Sequence, residues 1–473
     1  MELYITELSK YLITLLMALY AYESFAVFRY QKEEDRSGIY VRQNILMMLI
    51  HFSCFMVICF ETEEMSYLIF YAFQQIVLFA TVVLFHMIYP KANRLIVNNM
   101  CMLLAISFVI LTRLSFEKAV KQFLIVTVSL AAAMIIPFFV RKLKFLKSLT
   151  WVYAVVGAAA LAVVLILGTA TRGSKISFSV GGITFQPSEF VKILFVFFVA
   201  SALYESATIL EVFTTAVVAG AHVIILVISK DLGSALIFFV VYVLMVFVAT
   251  RNPLYLLAGL AGGSGAAYIA YRVFTHVQVR VQAWQDPWSV IDSAGYPITQ
   301  SLFAIGSGGW FGLGLYEGTP DSIPFVEADF VFSAIAEELG ILFAMGLILV
   351  CISCFMMFMR TAMKLEDRFY RLIAFGLGVI YIFQVFLTIG GGSKFIPLTG
   401  VTLPLVSYGG SSVLTTLIMF AVIEGLYMIG QDEDKARQRA RRRAAKQPVP
   451  YGRERDTKKR IEDIEDWDDG EEE

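Results

Sequence analysis

Long apolar runs separated by short polar breaks set the pattern of this chain. About 20 consecutive apolar residues cross a hydrocarbon core as helix. About thirteen such runs can be read: 8–29, 44–60, 66–88, 98–113, 122–140, 150–168, 188–204, 209–228, 232–249, 253–272, 331–358, 371–390 and 408–429. The least distinct are 98–113, which is short, and the division of 188–228 into two. None shows the short alternating segments of a membrane β-barrel, so every span is predicted as helix. The pattern therefore predicts an all-α fold, a polytopic membrane helix bundle.

The polar breaks orient it. Arg36 and Arg42 lie between the first two spans, Lys91 and Arg94 follow the third, and Arg141, Lys142, Lys144 and Lys147 follow the fifth. Arg360, Lys364 and Arg368 follow 331–358, and a run from Arg437 to Lys446 follows the last span. With thirteen spans all of these fall on one side, which the positive-inside rule makes cytoplasmic. The N-terminus, the break 169–187 and the long break 273–330 then face outward, and the C-terminal tail lies inside. From Gln431 onward the chain is charged and without apolar period, so disorder is expected over 431–473. Its basic block serves equally as a plain anchor or as a contact for anionic headgroups.

Composition agrees: the 473 residues are 58% hydrophobic and 16% charged, against about 25% charged in soluble domains. Met1–Lys10 is not a basic leader, so no cleavable signal peptide is expected. Cys351 and Cys354 form a C-x-x-C pair, but in an apolar span with no His or further Cys beside them packing is the simpler role. His51, His86, His222 and His276 are scattered and read as structural.

Chemistry concentrates where breaks meet spans. The stretch Ile323–Gly340, IPFVEADFVFSAIAEELG, puts Asp329 at the mouth of a span, with Glu337 and Glu338 two turns deeper if the helix is continuous. A carboxylate in an apolar helix costs about 2.5 kcal/mol or more near the bilayer centre and is kept for a function. In Gln186-Pro187-Ser188-Glu189-Phe190-Val191-Lys192, Glu189 and Lys192 share a helix face, as a structural ion pair or as site residues. Asp231 in Lys230-Asp231-Leu232-Gly233 suits a helix N-terminus, as a cap or as part of a site. Gly306, Gly308, Gly309, Gly312 and Gly314 allow close approach to a bound polar group, but no Gly-Lys-Ser/Thr follows, so this is no P-loop. Thr402–Ser412, TLPLVSYGGSS, suggests backbone lining a cavity.

QPSEFVK, KDLGSA, the Gly295-Tyr296…Gln300-Ser301-Leu302 loop, ADFVFSAIAEELG and TLPLVSYGGSS stand in the order of the SEDS family, the FtsW/RodA/SpoVE group of bacterial cell-wall proteins. The resemblance covers about 98–430, a ten-helix core with the loop 273–330; the spans within 1–97 are extra, with no role read from them. It implies a peptidoglycan glycosyltransferase that polymerises lipid II at the outer face of the cytoplasmic membrane, beside a class B penicillin-binding transpeptidase. It also implies Asp329 as the essential residue, Glu189, Lys192 and Asp231 as cavity residues, and Ser407 with them. Lys230 stands where that family usually has proline, Ala328 where it has threonine and Thr388 where it has asparagine, and Val290-Ile291 replaces a second Asp-Pro. Asp329 is retained, so activity is expected.

Glycosyl transfer needs a base for the acceptor hydroxyl and positive charge for the departing diphosphate. A partly desolvated carboxylate such as Asp329 suits the first role, with a raised pKa. Lys192, Arg172 and Lys175 are candidate cations for the second. A divalent metal (Mg2+ or Mn2+) held by Asp329 is an open alternative. No organic cofactor and no nucleic-acid partner is expected. The other class of function is a lipid II flippase, which needs polar groups through the whole bilayer; the outward clustering of the motifs favours surface chemistry.

Overall fold

The computed structural model describes residues 2–30, 33–171, 174–180 and 183–446. An N-terminal layer comprises α1 (Glu2–Ala26), α2 (Glu33–Thr62) and α3 (Met65–Ile88). Next come α4 (Arg94–Leu114), α5 (Phe116–Ala133), α6 (Ile136–Lys142) and α7 (Thr150–Leu167). Strands β1 (Thr169–Thr171), β2 (Ser174–Val180) and β3 (Ile183–Phe185) form an antiparallel sheet in that order. There follow α8 (Pro187–Leu203), α9 (Ile209–Ile228), α10 (Leu232–Thr250), α11 (Pro253–Val273), α12 (Thr275–Gln285), α13 (Tyr296–Gly308), α14 (Val331–Lys364), α15 (Arg368–Gly392) and α16 (Gly410–Lys446).

Among the described residues twelve helices are long and apolar enough to cross a membrane, α5 and α6 together making one of them. The span expected at 188–204 is α8, which at 17 residues is shorter than the rest and buried among them. The helical bundle is thus as the hydropathy pattern predicts. Pro137 lacks the N–H that would continue α5, so the run 122–140 is interrupted between α5 and α6.

The short, polar-flanked span at 98–113 is the most enclosed of all: every residue of its membrane window in α4 is buried. The N-terminal layer covers it on one side, and α5, α14 and α16 pack on the others. Buried polar side chains fasten that layer to the core. Asn99 of α4 accepts from the Tyr20 hydroxyl at 3.1 Å and from Ser24 Oγ at 3.2 Å, and donates to Ser353 Oγ of α14 at 3.2 Å. Ser353 donates to the Ser24 carbonyl at 3.2 Å, and Gln43 links Ser24 to Asn98 through bonds of 3.0 and 3.2 Å. In an apolar solvent such bonds act as interhelical glue.

The tail expected to be disordered from Gln431 continues instead as α16 to Lys446; residues 447–473 lie outside the described ones. Ala, Arg, Gln and Lys are strong helix formers, and the first turns of this extension are tied down. Asp432 pairs with Lys91 and, at 2.9 Å, with Arg141; Glu433 accepts from the Glu366 N–H at 2.9 Å; Arg437 pairs with Glu366.

Helix α14 runs unbroken past Glu337 and Glu338 and then breaks at Gly340, whose φ is 85°. The segment Gly309–Gly314 supplies the hydrogen bonds lost there. Leu313 and Gly314 donate to the carbonyls of Glu337 and Glu338, each at 2.9 Å, while Ile341 and Leu342 donate to those of Gly309 and Trp310 at 3.0 and 3.2 Å. A Cβ on Gly308 would lie 2.0 Å from the Ala336 carbonyl oxygen, and one on Gly312 2.2 Å from that of Glu338. Gly308 and Gly312 therefore meet protein backbone, which corrects their reading as part of a cradle for a bound polar group, whereas Gly306 and Gly309 face open space. Replacing Gly340 by alanine sets a Cβ 2.3 Å from the Gly312 nitrogen at positive φ. We expect Gly340→Ala to cost about 2 kcal/mol or more, measured as a lower thermal midpoint in detergent. Gly306→Ala, which meets open space inside α13, should hold or raise the midpoint.

Candidate active site

Asp329 lies two residues before α14, whose N-cap is Phe330. Negative charge is favoured at that end of a helix. The residue is 8% exposed. Ahead of it the backbone folds into a tight turn: the N–H groups of Ala328 and Asp329 both donate to the Phe325 carbonyl at 3.0 Å, and Phe325 has φ 59°. The two preceding carbonyls are held from elsewhere in the chain. That of Glu327 accepts from the Tyr408 N–H at 2.7 Å, and that of Ala328 accepts from Ser407 Oγ at 2.6 Å.

That holding segment is itself secured. Ser407 Oγ accepts from the Leu403 N–H at 2.9 Å. Gln122 of α5 donates to the Ser407 carbonyl at 3.2 Å and accepts from the Gly409 N–H at 3.3 Å. Ser411, in the first turn of α16, accepts from the Gln186 N–H at 2.9 Å and donates to the Thr184 carbonyl at 3.2 Å, which ties β3 and the start of α8 to the same place. Ser407 is 1% exposed with both its bonds made to protein, so it sets the backbone that carries Asp329.

The structure brings Asp231 and Asp329 together around Arg280, a half-buried residue of α12. Burial lowers the Arg280 pKa and the two carboxylates raise it; its high intrinsic value keeps it charged. Its Nη1 donates to the Thr399 carbonyl at 3.3 Å, next to Gly400, where a Cβ would lie 4.0 Å from Asp329 Oδ2. Asp231 caps α10, accepting from the Ser234 N–H at 3.1 Å, and also accepts from Ser188 Oγ at 3.1 Å and Gln186 Nε2 at 3.3 Å. Of the two readings of Asp231, the cap is the one seen directly.

Glu189 and Lys192 pair at 2.7 Å inside the bundle. Lys192 donates to Gln384 of α15 at 2.9 Å, and Gln384 to the Thr402 carbonyl at 3.0 Å. Their link to Asp329 therefore runs through the segment 399–402. Thr388, where asparagine was the family expectation, donates to the Val401 carbonyl at 2.8 Å and so holds the same segment. Arg172 and the side chain of Lys175 lie outside the described residues. Glu338 is neutralised by Arg113 at 2.8 Å, and Glu337 accepts from the Thr319 N–H at 3.1 Å, so both are committed to the fold.

Arg280 was missed from the sequence because 273–330 read as one irregular loop. No helical signal was there to find: Val277, Val279 and Val281 alternate with His276, Gln278, Arg280 and Gln282, the period of a strand, ahead of Asp286-Pro287. Among the described residues no three His, Cys, Asp or Glu side chains come together as a metal site. A divalent ion would have Asp329 as its protein ligand and take the rest of its shell from substrate oxygens and water. Gln122→Leu leaves a buried carbonyl and a buried N–H without partners, and we expect it to cost about 2–4 kcal/mol, read as a lower thermal midpoint. Lys121→Ala, on the exposed neighbour, should leave the midpoint in place.

Residues 92–430 match the model of the FtsW/RodA/SpoVE family of cell cycle proteins. The peptidoglycan glycosyltransferase RodA of Mycobacterium tuberculosis is 33% identical over 328 residues, covering 64% of this chain and 69% of that protein. A chain from a solved peptidoglycan synthase complex superposes with a TM-score of 0.62 at 26% identity, over 72% of this chain and 98% of that one. A mutant of the rod shape determining protein RodA of Thermus thermophilus gives a TM-score of 0.55 at 25% identity, over 71% and 97%. The chain is a multi-pass membrane protein that belongs to the FtsW/RodA/SpoVE family.

Proposed function

We infer that the protein is a peptidoglycan glycosyltransferase that polymerises lipid II at the outer face of the bacterial cytoplasmic membrane. The observation that carries this reading is the Asp329 carboxylate, fixed at the start of α14 beside Arg280 in a chain of this family. The name of the mycobacterial relative, peptidoglycan glycosyltransferase, supports it. The orientation rests on charge: Lys91, Arg141, Lys147, Arg368 and Arg437 gather at the end of the bundle opposite Asp329, the end that faces the cytoplasm.

In the reaction Asp329 takes the proton of an acceptor sugar hydroxyl as that oxygen bonds to the anomeric carbon of the donor. The bond from that carbon to the diphosphate breaks, and its electron pair leaves with the polyprenyl diphosphate. Arg280 lies close enough to Asp329 to offset charge as it develops on the leaving group. A class B penicillin-binding transpeptidase is the natural partner, because new strands need crosslinking; the solved complex in which polymerization and crosslinking are coordinated supports this.

The test is glycan formation from lipid II and a divalent cation by purified protein, with and without the transpeptidase. Asp329→Asn keeps the shape and removes the base, and is expected to lower turnover by about 100-fold or more. Ser407→Ala, which loosens only the backbone that carries Asp329, should lower kcat about 10-fold with KM little changed. Polymer from Asp329→Asn at the wild-type rate would remove Asp329 from its role. No polymer from the wild type, even with the partner, would turn the reading toward lipid transport.

A further inference from the structure

We propose that Lys230, His276 and Arg280 form a diphosphate-binding subsite beside Asp329, taking the two phosphates that join the sugar of the substrate to its lipid. This rests on the glycosyltransferase reading and deepens it. Four observations converge on these three residues.

His276 and Arg280 are four apart on α12 and so share one face of the helix. Arg280 donates to the Thr399 carbonyl at 3.3 Å. The start of α10 packs against the same carbonyl, which lies 3.1 Å from where a Cβ on Gly233 would stand. Lys230 immediately precedes that helix start and brings an exposed ammonium to it.

Lys230 is also strained. It occupies the left-handed position that ends α9, with φ 63°. The N–H of Lys230 donates to Val227 at 3.0 Å and that of Asp231 to Leu226 at 2.9 Å. This is the Schellman closure, in which glycine is the usual residue. A proline, with φ held near −65° and no N–H, could not be there. Lysine is disfavoured in that backbone conformation.

The charges ask for an anion. Among the described residues neither Lys230 nor Arg280 is in an ion pair with a carboxylate, although Arg280 feels Asp231 and Asp329. His276 feels the charge of both cations. Burial first, then the charges of Arg280 and Lys230, lowers its pKa. Its Nε2 is buried without a hydrogen-bond partner. Asp231 and Asp329 offset part of this positive charge; the unsatisfied His276 Nε2 still lacks an acceptor, and a diphosphate offers enough oxygens to take hydrogen bonds from all three residues. His276, which read as structural in the sequence, becomes a ligand group here. Arg280 is shared between the two sets, so the leaving diphosphate would sit on one side of it and the Asp329 base on the other.

The test is a titration of the purified full-length protein in nanodiscs with a polyprenyl diphosphate and, separately, the matching polyprenyl monophosphate. Wild type should prefer the diphosphate. Arg280→Gln and Lys230→Gln should each weaken diphosphate binding by about 10- to 100-fold and erase the preference. Lys230→Gly relieves the left-handed strain, so its thermal midpoint should hold or rise while diphosphate binding weakens as in Lys230→Gln. That combination separates lost charge from lost fold. Wild-type diphosphate affinity in Lys230→Gly and Arg280→Gln would overturn the subsite. Failure of the glycosyltransferase reading would appear elsewhere, as wild-type protein that makes no glycan, and would leave the diphosphate titration to decide the subsite by itself.

Discussion

An irregular stretch of buried backbone must find every hydrogen-bond partner within the protein, because no water reaches it. The turn that carries Asp329 is such a stretch, and much of the bundle is arranged to satisfy it. Ser407 and Tyr408 hold the two carbonyls ahead of the aspartate, and Gln122 holds the backbone on both sides of Tyr408. Thr388 and Gln384 hold the segment 401–402, and through Gln384 the buried Lys192–Glu189 pair joins the same network. Helices α5, α8, α14, α15 and α16 thus meet in one set of hydrogen bonds around a single carboxylate.

The break at Gly340 is a second case of the same constraint. A helix interrupted inside the bundle leaves carbonyl and N–H groups open, and the glycine-rich segment after α13 closes them. The Tyr11 ring of α1 packs at a tilt of 58° against Phe311 of that segment, centroids 5.0 Å apart, and Met17 fills the space over Gly346 of α14. The N-terminal layer, which lies wholly outside the family match, therefore supports α14 from the Gly309–Gly314 segment to the Ser24–Asn99–Ser353 contact.

Hydropathy made the bundle legible, since length and apolar content decide what crosses a bilayer. Where it blurred, buried polar residues were the reason. Asn98 and Asn99 shortened the apparent span of α4, although their partners on α1, α2 and α14 make it the most enclosed helix. The small sheet at 169–185 was not foreseen, because its strands of three to seven residues sit in a segment read only as a break between spans. Within the site, Asp329, Glu189, Lys192 and Asp231 were legible as charged residues at span boundaries. Ser407 was legible as a motif residue but not as a backbone support, since its partner lies 79 positions away. Arg280 and His276 were hidden in a short polar helix that hydropathy cannot separate from loop.

The central claim is that Asp329 acts on lipid II from the outer leaflet, without the substrate crossing the membrane. It is tested most directly in proteoliposomes of known protein orientation, with lipid II supplied to one leaflet at a time and glycan formation measured. The account predicts polymer when lipid II is in the leaflet that Asp329 faces and none when it is in the other. Polymer formed equally from either leaflet, or lipid II carried across with no polymer made, would contradict it.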